Sequence, residues 1–157
     1  MSKIKSTTIF KELLDFIRLR VCLYVTSISL TGFLISEQQI YEAPLLMFTV
    51  FTATASMYSL NQLSDVKEDL LNKKRINTFV RNNKGRYITF TLLLSSMTTA
   101  LFLTNTALLF LIMSVSLGIV YSKIKIKKIS PIKNIYATLS ISLMLLVGAT
   151  AYTEVNR

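Results

Sequence analysis

Asn61-Gln62-Leu63-Ser64-Asp65-Val66-Lys67-Glu68-Asp69 stands at the end of an apolar run that begins at Ala43. No charge interrupts that run up to Leu63, and at about 1.5 Å per residue it is long enough to cross roughly 30 Å of hydrocarbon as a helix. Asn61, Asp65 and Asp69 then fall at i, i+4 and i+8, so a helix that continues past the apolar run carries them as one polar stripe. Ionisable groups at a membrane edge are costly unless they have a partner. A stripe of oxygen ligands beside an apolar cavity suits Mg²⁺, which keeps several waters and takes further ligands from a substrate phosphate. On spacing alone, the same carboxylates read equally as solvated charges balanced by Lys67, Lys73 and Lys74, because acidic residues four apart recur on helix surfaces.

Working outward, four more apolar stretches join Ala43 to Leu63: Leu19 to Ser36, Tyr87 to Thr104, Ala107 to Ser122 and Ile135 to Tyr152. None alternates apolar and polar residues as a membrane barrel strand does, so helices follow. Arg20 and Lys123 can snorkel at the ends of the two shorter runs. The chain has 157 residues, 52% of them hydrophobic and 17% charged, with a mean hydropathy of +0.51. A soluble domain is about 25% charged. The expectation is one all-α, polytopic membrane domain over residues 1–157, a helical bundle of about five transmembrane helices, with motif loops at 64–86 and 123–134.

Of the 18 basic residues, 17 fall before the first span, between the second and third, or between the fourth and fifth. If the helices alternate, all of these lie on one face, which the positive-inside rule makes the cytoplasmic one. Glu37 and Glu42 lie in one opposite loop, and Asn105-Thr106 forms the other. This predicts an integral membrane protein, expected in the plasma membrane, with its N-terminus in the cytoplasm and its C-terminus outside. About twenty residues precede the first apolar run and no small-x-small site follows it, so that run reads as a retained helix rather than a signal peptide. Within Ser2 to Arg20, Ile9, Leu13, Phe16 and Ile17 fall at helical spacing among Lys11, Glu12, Asp15 and Arg18, a pattern suited to the membrane interface. The basic residues are read as topology signals and contacts to membrane lipid, with no nucleic-acid partner.

Composition narrows the chemistry. The chain has no His and its single Cys is Cys22, which excludes imidazole bases, His-bearing metal sites and an intrachain disulfide. Carboxylate, amide, hydroxyl and cationic groups remain, which are suited to Mg²⁺ and to phosphate. Arg75 follows the stripe by six residues, and Tyr121 and Lys125 stand on the same face of the membrane with Lys127, Lys128 and Lys133. Carboxylates facing cations and a phenol can bind a metal-diphosphate and neutralise charge on a leaving group.

Asn61-x-x-x-Asp65-x-x-x-Asp69 followed by Asn72-Lys73-Lys74-Arg75 resembles the first Asp-rich motif of the UbiA-type intramembrane prenyltransferases. Tyr121-x-x-x-Lys125 is similar to that family's Tyr-x-x-x-Lys element, and the order, separation and membrane side of the two agree. The resemblance implies a UbiA-like helical fold and a transferase that moves an isoprenyl group from an isoprenyl diphosphate to an aromatic or other, unspecified acceptor. Two Mg²⁺ ions would hold the diphosphate, whose departure leaves an allylic carbocation for the acceptor to capture. It further implies that Asn61, Asp65 and Asp69 serve the metal, that Arg75, Tyr121 and Lys125 contact the diphosphate, and that Asp65, Asp69 and Lys125 are the catalytic set.

Four departures stand beside the match. Gln62 occupies a position where the family often has Asp, and Ile76-Asn77 follows Arg75 in place of Pro-Ile. After Asp69 the only acidic residue is Glu154, so a second Asp-rich motif is absent, and five spans compare with about nine in the family. The chain is therefore expected to be an N-terminal part or a truncated member. A homodimer about an axis normal to the membrane would join two half-sites. The alternative is a non-catalytic remnant or accessory subunit that retains half of a diphosphate site. A small cation carrier fits less well, since carriers place their sites near the midplane.

Overall fold

The computed structural model describes residues 2–124 and 130–152, and within them the side chains of all but residues 2–8, 124, 130 and 133. Among these residues the chain is helical: α1 (Ser2–Ile17), α2 (Leu19–Ile35), a 3₁₀ turn (Ile40–Glu42), α3 (Ala43–Leu71), α4 (Thr78–Arg81), α5 (Lys84–Ala100), α6 (Asn105–Ile124) and α7 (Ser130–Thr150). The stretches Ile40–Leu71 and Asn105–Lys123 are long and apolar enough to cross a membrane, and Leu19–Ile35 and Asn134–Thr150 are shorter apolar helices.

Helix α3 continues eight residues beyond the apolar run, to Leu71. Hydropathy marks where lipid ends rather than where a helix ends, and nothing between Ser64 and Leu71 breaks hydrogen bonding. At about 1.5 Å per residue its 29 residues span roughly 43 Å, about 13 Å more than a hydrocarbon core. The stripe at Asp65 and Asp69 thus stands on the excess length. The helix ends in a Schellman turn: Lys74 N–H donates to Asp69 O at 2.9 Å and Lys73 N–H to Leu70 O at 3.1 Å. Lys73, at φ 53°, fills the left-handed position that such turns usually give to Gly.

Helices α2, α3, α6 and α7 form a ring in which each packs against two neighbours, and α5 lies outside it along α3. Successive long helices alternate in direction, so their ends collect in two groups. At the end away from the basic loops, Gln38 Nε2 donates to Gly148 O at 3.2 Å and to Ala149 O at 2.8 Å, and Gln38 Oε1 accepts from Tyr152 N–H at 3.1 Å. These bonds satisfy carbonyls that a helix C-terminus leaves without partners. Thr104 N–H reaches Ala151 O at 3.0 Å beside them.

Small residues let α2 and α7 approach closely. A Cβ on Gly148 would overlap the Ser29 carbonyl oxygen, and one on Gly32 would overlap that of Leu145. Helices in lipid gain stability from such contact because no hydrophobic effect drives them together there. Hydroxyl pairs add direct bonds between helices, Thr49 to Thr99 at 2.8 Å and Ser114 to Ser140 at 2.9 Å. Val50, Leu46, Leu111, Met144 and Val147 fill the core between them.

Helix α1 is separate from this core. It meets α2 at Arg18, the one residue between them, which breaks the helix with φ 53°. Phe16 is fully buried and stacks on Phe79 with ring centroids 5.9 Å apart, whereas Ile9 and Phe10 are exposed. The apolar spacing expected to seat α1 on an interface therefore also carries a contact to the segment after α3.

Candidate diphosphate and metal site

Two cavities lie at the basic end of the bundle. The outer is a cleft of about 610 Å³ between α1, the last two turns of α3 and the segment from Arg75 to Val80. Asp65, Asp69 and Arg75 line it together, joined by Lys11, Glu12, Asp15 and Arg18. The inner, about 260 Å³, lies inside the ring and takes residues from α2, α3, α6 and α7, among them Tyr58, Asn61, Tyr121, Tyr136 and Ser140. Arg18 lines both. Its guanidinium carbon lies 5.5 Å from the centroid of the Tyr58 ring, within range of a cation–π contact.

The structure thus divides the residues expected to act together. Asp65 and Asp69 share the cleft, as one face of a helix requires, while Asn61, one turn deeper, faces the inner cavity with Tyr121. The Oδ1 atom of Asn61 is buried and has no hydrogen-bond partner, an acceptor held ready for a cation or a donor. Lys125, Lys127 and Lys128 lie outside the described residues, as do Glu154 and Arg157, and the side chain of Lys133 is not described. Tyr121 alone therefore represents the second motif.

The charges of the first motif have intramolecular partners. Lys74 Nζ lies 3.3 Å from Asp69 Oδ1, and Arg75 Nη2 lies 3.0 Å from Glu12 Oε1. A hydrogen bond from Thr78 holds the Glu12 carboxyl below its ordinary range, with Arg75 adding to the effect against the opposing influence of burial. Asn77 ties the same region down: its Oδ1 accepts from Phe79 N–H at 2.9 Å, capping α4, and its Nδ2 donates to Glu12 O at 2.7 Å. Gln62 Nε2 donates to Asp15 O at 2.9 Å. Gln62 and Asn77 thus help to fasten α1, together with the Arg75–Glu12 pair and the Phe16–Phe79 stack.

Among the described residues, no three acidic or thiol groups converge into a metal cage. What α3 offers instead is two carboxylates on one cleft wall and an orphaned amide oxygen one turn deeper. That oxygen-only set fits Mg²⁺, which binds through one or two carboxylates with water and substrate phosphate completing its shell. Four carboxylates and three cations line the cleft, so a diphosphate enters favourably only with added positive charge.

Glu12, Asp15, Arg18, Tyr58 and Tyr136 were not singled out as site residues by sequence. Two spacings point to some of them: Tyr58 precedes Asn61 by three residues and Tyr136 precedes Ser140 by four, each pair lying on one helix face. Arg18 and the two α1 carboxylates come to the site only through the break between α1 and α2, which no periodicity shows.

No curated protein matches the sequence. The solved structure of a digeranylgeranylglyceryl phosphate synthase in membranes superposes with a TM-score of 0.83 at 26% identity, over 94% of this chain and 55% of that one. The chain thus spans about half the length of that protein. The model of the UbiA prenyltransferase family matches residues 25–156, a stretch that includes both cavities' α3 residues, Arg75 and Tyr121, and the chain belongs to that family.

Proposed function

We propose that the chain forms the diphosphate-binding part of an intramembrane prenyltransferase, which moves an isoprenyl group from its diphosphate to an aromatic or other acceptor with Mg²⁺. The observation that carries this reading is that Asp65, Asp69 and Arg75 line one cleft that meets, at Arg18, an inner cavity holding Asn61 and Tyr121. The diphosphate head would lie in the cleft, with the reacting carbon toward the inner cavity and the isoprenoid tail toward lipid. Mg²⁺ bound there would neutralise the diphosphate and the charge that grows on it as the C–O bond breaks.

The chain's own residues position and shield. Asp65 and Asp69 anchor the metal side, while Arg75, Arg18 and Lys125 meet phosphate oxygens as fixed cations. Tyr58, Tyr121 and Tyr136 line the inner cavity, where aromatic rings can stabilise positive charge on the allylic carbon and exclude water that would capture it. The C–O electron pair leaves with the diphosphate, and the acceptor supplies the new bond and then loses a proton. No covalent nucleophile on the protein is required. Orientation follows the basic loops: N-terminus in the cytoplasm, C-terminus outside, five spans, in the plasma membrane. A homodimer would bring two such sites together.

Titration of the detergent-solubilised protein with geranylgeranyl diphosphate, with and without Mg²⁺, tests the reading. Binding in the wild type should tighten with Mg²⁺, and Asp65→Asn should remove most of that gain while leaving thermal stability within about 1 kcal/mol. Metal-independent binding, or a prenyl-transfer rate that survives Asp65→Asn, would sink the assignment. Metal-dependent binding without turnover would favour the non-catalytic alternative.

A further inference from the structure

Two of the charged groups that the proposed site uses, Asp69 and Arg75, are engaged within the chain. Lys74 pairs with Asp69 and Arg75 with Glu12. One backbone feature sets both pairs: the left-handed Lys73 turns the chain so that Lys74 folds back over the end of α3 while Arg75 points across to α1.

Glu12 is held from several sides. Arg75 pairs with its carboxylate, Asn77 donates to its backbone carbonyl, and Phe16, one helical turn on, is buried against Phe79. Its side chain is 17% exposed, against 83% for that of Arg75, so the carboxylate is fixed and the guanidinium has come to it. Helix α1 lies outside the stretch matched by the family model, which begins at residue 25.

We propose that Glu12 and Lys74 are internal counter-ions of the cleft, Glu12 standing where a phosphate oxygen meets Arg75 and Lys74 where a divalent cation meets Asp69. This rests on reading the cleft as a metal-diphosphate site. Binding exchanges both pairs. A metal alone displaces Lys74 and leaves an ammonium beside Arg75. A diphosphate alone displaces Glu12 and leaves its carboxylate near Asp15. When both bind, the released Lys74 meets phosphate, so each half of the ligand relieves the cost of the other. The two counter-ions lower the affinity for either half alone and favour the complete pair.

The test measures binding of inorganic pyrophosphate and of Mg²⁺, each alone and together, to the full chain in detergent. Glu12→Gln should bind pyrophosphate alone about two- to fivefold more tightly than wild type, the range expected for a partly exposed ion pair. Lys74→Gln should bind Mg²⁺ alone more tightly by a similar factor. Glu12→Asp, which keeps the charge, should behave as wild type and reports that the fold tolerates change there. Asp15→Asn removes a charge from the same cleft without breaking an ion pair, and should gain less than half as much as Glu12→Gln. Unchanged or weaker pyrophosphate binding by Glu12→Gln, or an equal gain in Asp15→Asn, overturns the counter-ion role while wild-type binding leaves the site itself standing. If neither wild type nor any variant binds pyrophosphate with or without Mg²⁺, the counter-ion proposal and the reading of the cleft fall together.

Discussion

Arg18 is a cation, a helix break and a shared wall of two cavities at once. A side chain at φ 53° costs about 1–2 kcal/mol relative to a right-handed conformation, because its Cβ crowds the following carbonyl, and Gly escapes that cost. Backbone and side-chain contributions can therefore be separated. Arg18→Gly should melt about 1 kcal/mol more stably than Arg18→Ala, while both lose roughly tenfold or more in Mg²⁺-dependent diphosphate binding, the scale of a charge-assisted hydrogen bond. Thermal unfolding in detergent and a binding titration on the two variants check this, and equal stability of the pair would remove the strain argument. Sequence placed Arg18 correctly at the basic end, but gave it only a topological role. Its position over Tyr58 depends on a dihedral angle that residue type does not favour.

At the scale of elements, the contact between α2 and α7 and the strap formed by α1 respond to different perturbations. Gly148→Ala places a methyl group against the backbone of Ser29, which cannot move without α2. The expected loss is about 1–3 kcal/mol, as for overpacking, and Gly32→Ala should lose a similar amount. The double variant should lose less than the sum, since one separation of the helices relieves both clashes. Thermal melts of the three proteins decide the point. For α1 the lever is acid. The folded Glu12 carboxyl lies below its ordinary value of 4.5, so its contribution to docking is complete above that value and is lost as pH falls through the folded pKa. Hydrogen exchange of residues 9–17 should be protected equally at pH 6 and 7 and increasingly exposed below about pH 4.5. Asp15, Asp65 and Asp69 line the same cleft, so Glu12→Gln is the control: its exchange should lack the step belonging to Glu12. Apolar periodicity correctly anticipated a helix over this segment, but the Phe16–Phe79 stack required knowing where residues 78–81 return.

For the whole molecule, the alternation of α2, α3, α5, α6 and α7 predicts which loops a membrane-impermeant reagent reaches. Cysteines placed at the exposed Glu37 and Lys84, in a Cys22→Ser background, should label from opposite sides of the membrane, Glu37→Cys from outside. Labelling of both from the same side would overturn the topology. Long apolar runs made the helices legible as helices, because lipid demands about twenty uncharged residues per crossing, and two of them, Ile40–Leu71 and Asn105–Lys123, are long and apolar enough to cross a membrane; the labelling tests the alternation that the one-sided basic residues predict. The 4-residue stripe of α3 was readable for the same reason: a helix repeats every 3.6 residues whatever surrounds it. Sequence by itself therefore determined the class of fold, the order of its helices and the chemical character of the Asp65–Asp69 wall. Only the tertiary structure decided that Asn61 faces a different cavity from those carboxylates, that α1 supplies Glu12 and Asp15 to the cleft, and that Asp69 and Arg75 already hold partners. Those are contacts between segments far apart in sequence, 65 residues in the case of Asn77 and Glu12, set by helix packing and by single left-handed residues, and local periodicity carries no information about either.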